Sequence, residues 1–131
     1  VGTINMDYRS LYHHFENGPW LTKKAMAWFW KLYAPNSADR ASVLSSPLSA
    51  SAEQLKDLPP ALVITAENDV LRDEGEAFAR KLNDAGVKTT SVRFNGTIHD
   101  FMMLNPIAQS AATRDAVLLA VAKLRDVFGI K

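Results

Sequence analysis

Apolar positions along this chain change their period several times, and the changes divide it into elements. From Ala61 to Ala66 the side chains are apolar almost without interruption, following Leu58-Pro59-Pro60, where proline keeps the preceding residue out of the helical region. Such a short run predicts a strand buried on both faces. Polarity returns abruptly at Glu67-Asn68-Asp69. From Asp73 the period is helical, with Phe78, Leu82 and Ala85 on one face, and Asp73 and Glu76 have the spacing of an N-cap and its capping partner. Gly86 then predicts a left-handed helix stop. Val87 to Phe94 reads as a second strand with Thr90, Val92 and Phe94 on one face, while Lys88 and Arg93 mark it as an outer one. Asn95-Gly96 predicts a turn. A last helix is expected from Asn105-Pro106 to Phe128, with Val117, Val121, Leu124 and Phe128 in a stripe and Gly129 as its stop.

The first half of the chain is patterned differently. Residues 1–20 show no periodicity, and Asn17-Gly18-Pro19 is a turn signal, so this stretch is expected to be loop. Thr22 is a good N-cap for a helix carrying Met26, Phe29, Trp30 and Tyr33, which Pro35 ends. Trp28 and Leu32 give that helix a second apolar face. A short helix apolar most of the way round must be covered on more than one side, or must line an apolar pocket. Residues 36–56 are rich in Ser, Ala, Asp and Pro and predict a connection, with one helical turn between Ala52 and Leu58. The chain therefore divides at residue 57, with loop and a cap or pocket helix before it and a strand-helix-strand-helix unit over 58–131.

Composition narrows the functional classes. With 131 residues, 47% of them apolar, the chain is long enough for one packed core. The 15 basic and 14 acidic side chains nearly cancel and form no basic run with aromatics, which argues against a nucleic-acid surface. No apolar run approaches the roughly 20 residues of a membrane span. Cysteine is absent, which excludes disulfides and thiolate metal sites and fits a cytoplasmic location. His13 and His14 match no metal-binding helix motif and are read as surface histidines, so neither metal nor cofactor is expected. The first residues, Val1-Gly2-Thr3-Ile4-Asn5-Met6, have no basic n-region and no initiator methionine; they read as a cut inside a longer protein rather than a signal peptide.

Strand, helix, strand and helix joined by short loops imply two parallel strands with a right-handed crossover. Both polar loops then lie at one edge of the sheet, where open α/β sheets place ligands and catalytic groups. Asp69 follows the first strand and His99 the second. A carboxylate that accepts from one imidazole nitrogen fixes the tautomer, leaving the other nitrogen to take a proton from a nucleophile. The same two residues also fit a loop cap and an ordinary half-buried histidine.

The wording of these loops resembles the hormone-sensitive-lipase branch of the α/β-hydrolase fold, a family of esterases and lipases. LPPALVITAENDVLRDEGEAFARKLNDAGV, from Leu58, resembles the strand that carries the acid and the helix after it, and GTIHDF, Gly96 to Phe101, resembles the histidine loop. LTKKAMAWFWKLYAP, Leu21 to Pro35, and Ser46 to Ala50 match more loosely. The resemblance implies an α/β fold, here the last two parallel strands of a hydrolase sheet with flanking helices and a preceding pocket helix. It also implies Asp69 as triad acid, His99 as general base and an acyl pocket touched by Trp28, Phe29 and Phe101. Asp73 is the rival acid. Two positions depart from the family: Asp100 stands where it has Gly and Val70 where it has Pro. The nucleophile's Gly-x-Ser-x-Gly elbow is absent, because none of the glycines at 2, 18, 75, 86, 96 and 129 lie four apart. The expectation is the C-terminal segment of a serine carboxylesterase for short- to medium-chain esters, partnered by an N-terminal part with the serine, or else a dimer. The alternative is a free-standing, non-catalytic module that binds a partner.

Overall fold

A computed structural model describes residues 14–130, so the expectations for residues 1–13, His13 included, lie outside the described residues. The element order is α1 (Lys23–Tyr33), α2 (Ser37–Ala41), a 3-10 turn (Pro47–Ser49), α3 (Ala52–Leu55), β1 (Ala61–Asn68), α4 (Arg72–Asp84), β2 (Thr89–Ile98), a 3-10 turn (Asn105–Ile107) and α5 (Ala111–Val127). The strands pair in parallel, Ala61 opposite Thr89 and Ala66 opposite Phe94. The register then shifts, and Asn68 stands opposite Ile98. The turn expected at Asn95-Gly96 is therefore not made: the two residues belong to an irregular stretch inside β2, made possible by Gly96 at φ 71°.

Local signals explain most boundaries. The Thr22 hydroxyl accepts from the Ala25 N–H and caps α1, while Ser51 and Gln54 form a reciprocal capping box on α3, the one turn expected there. Gly86, at φ 84°, ends α4 with Val87 N–H donating to the Leu82 carbonyl. Other elements differ from the reading of the sequence. The connection over 36–56 contains α2 and a 3-10 turn. Helix α5 begins after Ser110, whose hydroxyl accepts from the Thr113 N–H, and Asn105-Pro106 opens only a 3-10 turn. Asp73 does not cap α4: Leu71 is the cap residue and Asp73 sits in the first turn, paired with Arg72 at 3.1 Å. Glu76 reaches across to β2 instead, where both its oxygens accept from Arg93 at 2.7 Å, and this contact holds its carboxyl below its ordinary pKa.

Three apolar clusters result. Leu21, Met26, Trp30 and Ala34 of the α1 region close on Val70; Ala50, Leu55, Leu82 and Val87 join the connection to α4; Ala66, Phe101 and Ala116 join β1 to α5. Strand β1 is fully buried only at Thr65 and Ala66, because β2 covers one edge and no strand covers the other among the described residues. Burial on both faces, expected for the whole run, is thus confined to its last two residues. On α1, Met26 and Trp30 face the core, while Trp28, Phe29, Leu32 and Tyr33 are exposed. The Val117, Val121, Leu124 and Phe128 stripe of α5 is exposed as well.

Helix α4 lies close against β1 at Gly75. A Cβ there would stand 3.1 Å from the Thr65 Cγ2. The Thr65 rotamer is not free to give way, since its χ1 is stiff and its hydroxyl donates to Glu76 at 3.2 Å. Gly75→Val should therefore cost about 2 kcal/mol by overpacking, read as a lower urea midpoint; an unchanged midpoint would mean that the helix lifts off the strand freely.

Candidate active site

The carboxyl ends of β1 and β2 carry the two loops on which the site is built. Asp69 follows β1 directly. Its Oδ1 accepts from the Leu71 N–H at 2.8 Å, a turn that locks the side chain against its own backbone, and its carbonyl accepts from the Arg72 N–H at 3.1 Å. Val70, next in sequence, is buried against Met26 and Trp30 and pins this loop to α1. The position where the family resemblance leads one to expect Pro thus holds an apolar core residue.

His99 follows β2. Around it the chain turns tightly, with Phe101 N–H donating to Ile98 and Met103 N–H donating to Asp100, which has φ 62°. The Phe101 ring, 4% exposed, packs against Phe94 with centroids 5.7 Å apart, and its carbonyl accepts from the Thr113 hydroxyl of α5. Its ring is core among the described residues, and it anchors the histidine loop. The loops are also tied to one another. Gly96 N–H donates to the Glu67 carboxylate at 2.6 Å, the Asn68 amide donates to the Thr97 carbonyl at 3.2 Å, and Arg72 donates to the Glu67 carbonyl at 2.6 Å.

These constraints bring Asp69 Oδ2 to 2.8 Å from His99 Nδ1. A carboxylate accepts, so Nδ1 carries the proton and Nε2 is the nitrogen left for chemistry. Asp69 is 8% exposed and its two oxygens have separate partners, Leu71 and His99. Asp73 makes its ion pair with Arg72 instead. Burial disfavours the charged imidazole, but the hydrogen bond and charge of Asp69, with the charge of Asp100, outweigh it, so the pKa of His99 stands above its ordinary value.

Reading the sequence missed one contact. Asp100 places Oδ1 at 3.2 Å from His99 Nε2, and its Oδ2 accepts from the Trp20 indole N–H at 3.3 Å. Eighty residues separate Trp20 from Asp100, and no local pattern links them. The only hint was the non-glycine residue after the histidine. Trp28 and Phe29 lie on the outer side of α1, their rings 5.1 Å apart. His14 is exposed, with its ring edge against Phe15. Among the described residues, no group of three His, Asp or Glu side chains is arranged to hold a metal ion, and no helix is long and apolar enough to cross a membrane.

A family model described as alpha/beta hydrolase fold matches residues 3–103. An arylesterase of Saccharolobus solfataricus is 41% identical over 98 residues, which cover 75% of this chain and 30% of the relative. A thermostable esterase from Pseudomonas putida superposes with a TM-score of 0.83 at 53% identity, covering 86% of this chain and 36% of the other. Carboxyl esterase 2 of the fungus Tuber melanosporum gives a TM-score of 0.90 at 30% identity, with 95% and 41% covered. The chain spans about a third of the length of the curated relatives it matches.

Proposed function

Since the chain belongs to the α/β-hydrolase fold family, we propose that it supplies the acid and the base of a serine carboxylesterase of the hormone-sensitive-lipase branch. The observation that carries this reading is the 2.8 Å contact between Asp69 Oδ2 and His99 Nδ1 at the carboxyl edge of the parallel strands. The esterases among its relatives support the reaction class. In the proposal, residues 1–57 form a loop and pocket-helix region and residues 58–131 the last part of the hydrolase core. The serine comes from an upstream part of the same protein, on a Gly-x-Ser-x-Gly elbow, and the whole is placed in the cytoplasm.

The chemistry follows from the ring. With Nδ1–H held by Asp69, Nε2 accepts the proton of the serine hydroxyl as its oxygen attacks the ester carbonyl. The imidazolium then gives that proton to the departing alcohol, and an acyl-enzyme remains. Water attacks next, Nε2 taking its proton and returning it to the serine as the acid leaves. Asp69 stays ionised throughout and stabilises the imidazolium. The exposed apolar face of α1, with Trp28 and Phe29, suits the wall of an acyl pocket closed by the upstream part, and a short- to medium-chain acyl group fits such a wall.

Two measurements test the reading. The source gene should encode Gly-x-Ser-x-Gly in frame upstream of Val1, and its product should hydrolyse p-nitrophenyl acetate. His99→Asn in that product should lower turnover by about 10⁴-fold or more. A gene that starts at this chain, or a His99→Asn enzyme with undiminished turnover, would favour the non-catalytic module.

A further inference from the structure

Two non-glycine residues among those described have positive φ, Trp20 at 69° and Asp100 at 62°, and they are bonded to each other. Left-handed backbone is unfavourable for residues with a Cβ and persists only where surroundings impose it. Glycine would make the Asp100 turn without strain. What the aspartate adds is a carboxylate split between two rings: one oxygen accepts from the Trp20 indole at 3.3 Å, and the other lies 3.2 Å from His99 Nε2. Nε2 is the nitrogen that must receive the serine proton.

We propose that Asp100 is a positioning residue for the general base: Trp20 holds its carboxylate against Nε2, so that the nitrogen that acts as base faces a fixed negative charge. The inference rests on the reading of His99 as base. Its consequence is protonic. With Nδ1–H donated to Asp69, a proton on Nε2 facing Asp100 makes the ring an imidazolium between two carboxylates. That proton must leave to solvent before Nε2 can accept one from serine. The charges acting on His99 are those of Asp69, from the loop after β1, and Asp100, from its own loop. At the start of α4, Arg72 and Asp73 pair with one another, and Trp20 is uncharged. Both carboxylates favour the protonated ring, so removing Asp100 lowers the pH at which His99 becomes a base. The same raised pKa means that the protonated ring stabilises the fold fully below its ordinary pKa. That contribution fades as pH rises through the folded value.

The experiment is kcat/KM against pH for p-nitrophenyl acetate, in the esterase that contains this chain, with Asp100→Gly and Asp100→Asn; both residues accept left-handed backbone, so the turn survives. The acid limb should move down by about half to one pH unit, leaving the variants roughly three- to tenfold more active than the parent on that limb. The ¹⁵N titration of His99 Nε2 should move by the same amount. An acid limb and an Nε2 titration that stay in place in both variants, or move upward, would overturn the proposal while a dead His99→Asn enzyme left the base assignment standing. A His99→Asn enzyme that still turned over would overturn the base assignment itself.

Discussion

Replacing Asp69 by Asn in the proposed full-length esterase should lower ester turnover by about 10⁴-fold with little change in stability. The asymmetry comes from the two jobs of the carboxylate. Oδ1 accepts from the Leu71 N–H, and an amide oxygen can do the same, so the loop after β1 keeps its turn. The other position would then hold an NH₂ group facing His99 Nδ1, 2.8 Å away in the parent. A donor there demands that Nδ1 be the acceptor, which moves the ring proton to Nε2 and leaves no base for the serine. Charge is lost too, and with it the stabilisation of the imidazolium. Asp73→Asn is the control, because Asp73 is a half-exposed first-turn residue paired with Arg72. Its loss should change turnover by no more than about twofold and stability by under about 1 kcal/mol. Steady-state rates on p-nitrophenyl acetate and far-UV circular dichroism decide the matter. Comparable losses in both variants would mean that the acid is misassigned, and unchanged turnover in Asp69→Asn would mean that the pair is structural.

The pairing of Asp69 with His99 was legible because each residue follows a strand whose composition announces it, and parallel strands put such positions on one edge. The apolar run before Asp69 and the Val92–Phe94 alternation before His99 are local signals. What stayed hidden depends on distance or competition. Asp73 and Glu76 have capping-box spacing, yet the Asp69 side chain has already organised the turn before α4, and Arg93 on the neighbouring strand offers Glu76 a stronger partner than a helix N–H. Asn105-Pro106 looks like a helix start, but Ser110 caps better because its hydroxyl meets both the N–H and the hydroxyl of Thr113. Phe101 is expected at the acyl pocket by the family resemblance alone. Only the packing of α5 on β1 shows that its ring is needed inside. The Trp20–Asp100 contact is the extreme case, a pairing across 80 residues that no periodicity encodes.

The second large effect concerns the chain alone, which should hydrolyse no ester above background and should not remain a monomer. Inactivity follows from chemistry: Asp69 and His99 can move a proton, but no serine elbow is present for an acyl group to be transferred to. Association follows from what the fold leaves open. Strand β1 has β2 on one edge and no strand on the other among the described residues, and its Ala61 to Ala66 run is apolar, so the free edge is a template for another chain. Apolar side chains are exposed in two groups as well. Trp28, at 57% exposure, joins Phe29, Leu32 and Tyr33 on α1, while Leu118, Val121, Leu124 and Phe128 line α5. Contiguous apolar patches of this kind are unusual on a stable monomer and promote association. Purified residues 1–131 should therefore elute from gel filtration as a dimer or larger species, and co-expression with the serine-bearing part should shift them into a complex that turns over ester. A monodisperse monomer would show that the open edge and faces are tolerated. Labelling of the isolated chain by a fluorophosphonate would show a nucleophile that the Gly-x-Ser-x-Gly argument excludes.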